Sequence, residues 1–477
     1  MTAYLRTVTD APRDTRWGAL VVCLTAGFMT LLDVSIVNVA LPSIRSGLEA
    51  SDSQIQLIVA GYSLAFGIVL VPAGRLGDAL SRKVVFCIGL VVFTTSSALA
   101  GAASDPAWLA AARILQGVGG GLINPQVSGF IQTMFRGDER ARAFGLFGAT
   151  VGISTAVGPL LGGALVTLGG AEHGWRYVFF VNVPVGIVAL VLALRWLPRS
   201  EPGPRESLDP VGVLLFGGAT FLVLLPLVDG ARGEALSSRP WWIVGVALAL
   251  LVAFAAWERW WARSGRATLV DLSLVRIRSY MLGLGLGTLY FAGFTSIFLV
   301  LTLYLQNGLG YTAFEAGLTQ MPFALGAAVA AWLGGRLVNQ YGRALVVSGL
   351  VLVIVGLVGV DLLVPHLDDR VGLWLALPLV VAGFGGGLVI SPNVTITLSE
   401  VDVRHAGAGG GMLQTAQRVG SAIGVALVLA QFFSQLESTD GDYVASMTLA
   451  LRTTVAFVVG ALVLGLVDLL TDRRRRR

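Results

Sequence analysis

The stretch Gly74-Arg-Leu-Gly-Asp78-Ala-Leu-Ser-Arg82 returns later in the chain as Gly335-Arg-Leu-Val-Asn339-Gln-Tyr-Gly-Arg343, at an offset of 261 residues. A second echo follows it. Gly117-Val-Gly-Gly-Gly-Leu122 returns as Gly383-Phe-Gly-Gly-Gly-Leu388, with a proline after each copy, Pro125 and Pro392. Each copy falls at an equivalent place, the first at a loop after a second apolar run and the second in the body of a fourth. The chain therefore reads as two halves of one design, joined in tandem.

The runs between these echoes decide what kind of halves they are. Of the 477 residues, 55% are hydrophobic and 13% are charged, against about 25% charged in a soluble domain. Uncharged blocks such as 55–74, 84–104, 143–171 and 371–399 reach the length of about 20 residues that a helix needs to cross the hydrocarbon core. The expected fold class is all-α transmembrane: two six-helix halves plus two extra central helices, fourteen spans in all. Residues 1–16 form a cytoplasmic N-terminus and 17–198 the first half. A Pro- and charge-rich linker covers 199–210, two inserted helices 211–261, and a second linker 262–279. The second half is 280–470, and 471–477 form a basic tail. The apolar run after the N-terminus lacks a small-residue cleavage site, so it reads as an uncleaved first span.

Charge placement fixes the sides. Of the 33 basic residues, only Arg45, Arg176, Arg232, Arg239 and Arg370 fall in segments that this layout puts outside. The bias expected of cytoplasmic loops holds with both termini inside. Arg473–Arg477 read as a topology anchor against anionic lipid, not as a nucleic-acid contact. The protein belongs in a bacterial cytoplasmic membrane on this reading, with the lipid bilayer as its solvent and no nucleic-acid partner.

Several chemistries drop out. Lys83 is the only lysine and follows Arg82, so no Gly-Lys-Ser/Thr phosphate loop exists. Cys23 and Cys87 lie in apolar runs, and His173, His366 and His405 lie at loops or span ends. No metal site, cofactor or enzyme is expected.

One carboxylate, Asp33, lies deep in an expected span, at about 24 Å from the start of span 1 by the helical rise. Burial disfavours its charged form, so it is suited to load and release a proton. Arg113 lies at a similar depth on span 4, where it can pair with Asp33. Gly74, Asp78 and Arg82, echoed by Gly335 and Arg343, read as a gate at the cytoplasmic ends of the spans. Gly158, Pro159, Gly162 and Gly163 give span 5 a smooth, kinkable face. Candidates to line a central cavity are Asn38, Tyr62, Gln116, Asn124, Tyr290, Tyr304, Gln306, Asn393, Gln414 and Arg418.

These motifs, with Trp175-Arg-Tyr-Val-Phe-Phe-Val-Asn182-Val-Pro184 and Leu32-Asp33-Val-Ser-Ile-Val-Asn38-Val-Ala-Leu-Pro42, resemble the major facilitator superfamily. The second motif and the fourteen spans resemble its drug:proton antiporter family of EmrB/QacA type. The resemblance implies proton coupling at Asp33 and Arg113, conformational gating at Asp78 and Arg82, and antiport through the Gly-Pro helix. The chain departs from that pattern at Ala79, where arginine is usual, and at Ser81 and Ser154, where glycine is usual.

The function expected is proton-coupled antiport, exporting hydrophobic drugs or other small organic compounds by alternating access between the halves. Its partners are a small hydrophobic organic substrate and protons; the sequence leaves the oligomeric state open and is compatible with a monomer. The rivals are a dedicated exporter of one metabolite, such as a self-made antibiotic, an amino acid or a lipid precursor, and a non-transporting membrane sensor. The single deep carboxylate points to neutral or monocationic substrates rather than dications.

Overall fold

The computed structural model describes residues 13–198, 209–228, 242–264, 266, 268–270, 272–367 and 370–475. The linker expected at 199–210 and the loop at 230–239 lie largely outside the described residues, as do 1–12 and the last two arginines. Among the described residues the fold is all helix. The helices are α1 (Arg13–Gly47), α2 (Asp52–Leu76), α3 (Arg82–Gly101), α4 (Pro106–Met134), α5 (Gly137–Gly170), α6 (Glu172–Trp196) and α7 (Pro210–Val228). Then follow α8 (Trp242–Arg263), α9 (Arg278–Leu303), α10 (Ala313–Tyr341), α11 (Arg343–Leu363), α12 (Val371–Ser399), α13 (Ala406–Ser438) and α14 (Tyr443–Arg475).

Among the described residues, eleven helical stretches are long and apolar enough to cross a membrane, one of them, Ser53–Gly101, running through both α2 and α3. The polar-rich α4 and the short α7 fall below that measure. Backbone geometry separates neighbours that are otherwise continuous. Gly170, at φ 77°, breaks α5 from α6, a conformation that costs glycine little. Gly342 breaks α10 from α11 at φ 54°. Ser81, at the position matching Gly342 in the repeat, is extended instead (φ −167°, ψ 122°). Its side chain is therefore compatible with the turn, and the departure from glycine there carries no strain.

The packing of α1–α6 is repeated by α9–α14. In the first set α1 packs on α5, α2 and α3 pack on α4, and α6 packs on α1 and α3. In the second, α9 packs on α13, α10 and α11 pack on α12, and α14 packs on α9 and α11. One core cluster centres on Phe86, Phe93, Phe130 and Phe144 of the first set and extends to Tyr280, Leu398 and Leu413 of the second; another, with Leu301, Val353, Leu375 and Phe432, lies in the second set. The sets meet along two seams, α5 against α10 and α2 against α13. Helices α7 and α8 pack on each other, and α7 lies against α2 and α13.

The echo extends to how helices begin. Ser51 accepts a hydrogen bond from the Gln54 backbone N–H while the Gln54 side chain accepts from the Ser51 N–H. Thr312 and Glu315 form the same reciprocal box at the start of α10. Both pairs are separated by the 261-residue offset, and each box satisfies two amide donors that a helix start otherwise leaves unpaired.

Glycines set how closely the helices cross. A Cβ on Gly117 would overlap the carbonyl oxygen of Tyr62, and one on Gly383 that of Phe323. The two glycine runs seen in the sequence are therefore the tight α2–α4 and α10–α12 crossings.

Candidate functional site

The deepest charged group sits where four helices of the first set converge. Asp33 on α1 is fully buried, and Arg113 on α4 is 2% exposed. Arg113 Nη1 donates to Asp33 Oδ2 at 2.5 Å and to Gln116 Oε1 at 2.7 Å. The other carboxylate oxygen accepts from Gln116 Nε2 at 2.8 Å and from Asn182 Nδ2, on α6, at 3.2 Å. Ser97 on α3 accepts from both amides at 3.1 Å and donates to the Phe179 carbonyl at 2.9 Å. The Arg113 guanidinium lies over the Tyr62 ring, 4.2 Å from its centroid.

Local sequence explains this convergence. Asp105 caps α4 by accepting from Trp108 N–H at 2.9 Å, with Pro106 opening the helix, which sets Arg113 two turns inside. Gly117 and Gly120 let α2 approach, so that Tyr62 reaches over Arg113 and its hydroxyl donates to the Thr30 carbonyl at 3.1 Å. Asn124 donates to Thr30 Oγ1 at 2.9 Å. A buried ion pair is tolerated when hydrogen bonds meet its remaining lone pairs, and here two amides do so. Asp33 and Arg113 thus balance each other's charge inside the first set.

Sequence reasoning missed Ser97 and Asn182. The signal was present in the polar run Thr94-Thr-Ser-Ser97 inside an apolar block, and in the asparagine ending Phe179-Phe-Val-Asn182.

A second cluster lies at the end of the bundle where Arg16, Arg82, Lys83 and Arg136 gather, called here the basic end. Arg82 donates to Asp78 Oδ1 through Nη2 at 2.7 Å and Nε at 3.1 Å. Asp78 in turn accepts from the backbone N–H groups of Gly407 at 3.1 Å and Ala408 at 3.0 Å. Arg82 also donates to the Val403 carbonyl at 2.8 Å. Asp78 therefore caps the N-terminus of α13, a helix of the opposite set, where its charge meets the positive end of the dipole. Gly74 and Gly407 cross so tightly that a Cβ on either would collide with the other's backbone. The Lys83 ammonium donates to the Leu194 and Leu197 carbonyls at 2.7 Å, closing the end of α6.

The echo of this cluster is only partial. Gly335 makes the corresponding tight crossing, against Ala141 and Gly145 of α5, and Asn339 donates to Asp138 at 2.5 Å. Arg343 does not follow Arg82. It pairs with Asp468 on α14, donates to Asn393 at 2.5 Å and to the Ser279 carbonyl at 3.0 Å, all within its own set. Asn393 is consequently 2% exposed and engaged, its amide donating to the Gly283 carbonyl at 3.0 Å.

The remaining sequence candidates separate by surroundings. Gly158 and Gly162 face Ser35 and Ile36 of α1 at close quarters, Pro159 lies near Gly317, and Gly163 borders open space. Tyr290 and Tyr304 are core residues of the second set. Gln306 is half-buried in the π-turn after α9, and Asn38 is exposed on α1. Gln414 of α13 donates to the Asn124 carbonyl and Ser128 Oγ of α4 in the opposite set, both at 3.3 Å. Arg418 lies over the Phe66 ring, 4.4 Å from its centroid. Among the described residues no group of His, Cys, Asp and Glu side chains is placed to hold a metal ion.

Two repeated six-helix sets, an ion pair buried in one of them and a clasp between them are the arrangement of a membrane transporter. Residues 23–425 match the Major Facilitator Superfamily, and the chain belongs to that family. It is 38% identical over 429 residues to the probable actinorhodin transporter of Streptomyces coelicolor, covering 90% of this chain and 74% of that protein. It is 34% identical over 470 residues to the puromycin resistance protein pur8 of Streptomyces alboniger, covering 95% and 91%. In fold it resembles the human organic anion transporter MFSD10, with a TM-score of 0.68 at 15% identity over 95% of this chain and 100% of that one.

Proposed function

We propose that this transporter is a proton-coupled antiporter that exports hydrophobic small organic compounds across the cytoplasmic membrane. The observation that carries the reading is Asp33, fully buried and held by Arg113, Gln116 and Asn182. A carboxylate at that depth is costly, and it is retained where it exchanges protons. In this reading the fourteen helices are fourteen crossings, the basic end faces the cytoplasm with both termini, and the halves rock about the substrate. Protons reach Asp33 from outside and release Arg113; deprotonation to the cytoplasm restores the pair and resets the site for substrate. The clasp of Asp78 on α13 closes the cytoplasmic end and yields when that end opens.

The test is drug-dependent proton movement in everted vesicles. Asp33→Asn is expected to insert normally and to abolish that movement. Proton-coupled export at the parent rate in the variant would remove Asp33 from the mechanism.

A second reading, a dedicated exporter of one metabolite, is favoured by the relatives' names, which specify single compounds, actinorhodin and puromycin. A panel of unrelated compounds separates the two: one exported compound supports the dedicated exporter, several the broader pump.

A further inference from the structure

Arg418 is the charge that the site just described leaves over. It lies on α13 of the second set and reaches across the seam to stack over Phe66 of α2 at 4.4 Å. Phe66 is one turn from Tyr62, ring centroids 5.9 Å apart, and Tyr62 carries Arg113 on its face at 4.2 Å. Two guanidinium groups, one from each half, thus bracket a pair of aromatic side chains. Arg113 has its carboxylate. Arg418 has no carboxylate partner among the described residues.

Four acids of the two halves already have arginine partners. Asp33 is engaged by Arg113, Asp78 by Arg82, Asp468 by Arg343 and Asp361 by Arg452. The inner charge balance between the halves is therefore positive at Arg418. A cation in apolar surroundings is costly unless an anion meets it, and Arg418 is half-buried.

Its neighbours fit a ligand with an apolar body. Ser421, one turn along the same face of α13, shares a hydrogen bond with Thr295 of α9 at 2.8 Å. Thr295 lies on a half-buried stripe with Phe291 and Phe298, whose rings join those of Phe294 and Phe323. A guanidinium offers a planar fork of donors suited to a carboxylate or a delocalised oxyanion. The half-buried rings on the Thr295 stripe, which Ser421 joins to the same face of α13, suit an aromatic body.

We propose that Arg418 is the anion-recognising residue of the substrate cavity, and that the exported compounds are aromatic organic anions. The proposal rests on the transporter reading above and reverses the sequence-based expectation of neutral or cationic substrates, because the deep carboxylate is occupied and the deep cation is not.

The test uses two dyes with one xanthene skeleton and opposite charge, anionic fluorescein and cationic rhodamine 123. Binding to the purified, detergent-solubilised full chain is read by fluorescence polarisation and needs no transport. Saturable fluorescein binding is expected, tighter than that of rhodamine 123. Arg418→Gln is expected to weaken it about ten-fold or more, the worth of a charge-assisted hydrogen bond, and Arg418→Lys to retain most of it. Ser421→Asp, which leaves the arginine in place beside a new carboxylate, is expected to produce the same loss, so the result does not depend on how Arg418→Gln folds. Absent fluorescein binding, or binding unchanged in both Arg418→Gln and Ser421→Asp, overturns the proposal. The two readings fail separately. Proton-driven rhodamine 123 export without fluorescein binding sinks this proposal alone. Arg418-dependent fluorescein binding without proton-coupled transport sinks the antiporter reading alone.

Discussion

Asp78 and Gly407 join the two halves of the protein, with the carboxylate of one accepting the backbone N–H of the other at 3.1 Å. The contact is charge against helix dipole, supplemented by Ala408 N–H and by Arg82 holding the carboxylate in place. Nothing covalent or apolar is involved, so it can be released and remade.

Asp78→Ala is therefore expected to loosen the basic end without unfolding either half. A helix-terminal charge contributes about 0.3–1 kcal/mol when exposed and up to about 2 when partly buried. That is enough to shift a balanced two-state equilibrium several-fold. The measurement is labelling of a Gln414→Cys thiol by a membrane-impermeant reagent from the cytoplasmic side, in a background where Cys23 and Cys87 are alanine. Faster labelling in the Asp78→Ala variant is the expected outcome; an unchanged rate would assign the clasp a static role.

Gly158 and Gly163 make a matched pair for testing the α1–α5 crossing. A Cβ on Gly158 would collide with Ser35 Oγ, whereas one on Gly163 meets nothing within 4 Å. Gly158→Ala is expected to destabilise by about 1–3 kcal/mol, the usual range for overpacking, and Gly163→Ala to leave Tm nearly unchanged. Thermal unfolding in detergent reads both. Equal shifts for the two would refute the packing argument.

Removing one member of the Asp33–Arg113 pair leaves the other buried and unbalanced, at about 3–5 kcal/mol. Arg113→Gln alone should therefore lower stability more than Arg113→Gln combined with Asp33→Asn. The double variant is expected to recover stability and still fail to couple protons. If it regained proton-coupled transport, the pair would be merely structural.

Arg343 and Asp468 pose the opposite case. Like Asp33–Arg113 their pair lies within one half, but it is read as structural, so Arg343→Met is expected to destabilise strongly and Arg343→Met with Asp468→Leu much less. Transport by the double variant should remain proton-coupled. Loss of coupling there, with stability regained, would give Arg343 the gating role that its place in the repeat suggested.

That last residue shows where the sequence stops being legible. The 261-residue offset marks the matching loops, and Gly74 and Gly335 do make matching crossings. It carries no information on the partner of Arg343, which is 125 positions away and has no counterpart in the first half's motif. Asp33 and Arg113 were readable because rise per residue gives depth, and two charges at one depth in an apolar medium attract strongly. Ser97 and Asn182 were less so, since a short polar run and an asparagine beside apolar blocks mark polar positions without revealing which faces meet. The boxes at Ser51 and Thr312 are written in the sequence as Ser-x-x-Gln and Thr-x-x-Glu, each just before an apolar run.

Helix α7 breaks the two-fold likeness of the bundle in one respect. The seams α2–α13 and α5–α10 are built alike, yet α7 lies across the first. Among the described residues no helix outside the two sets packs across α5 and α10, so the two flanks of the bundle present unlike faces, and the uncovered one carries the Gly-Pro helix.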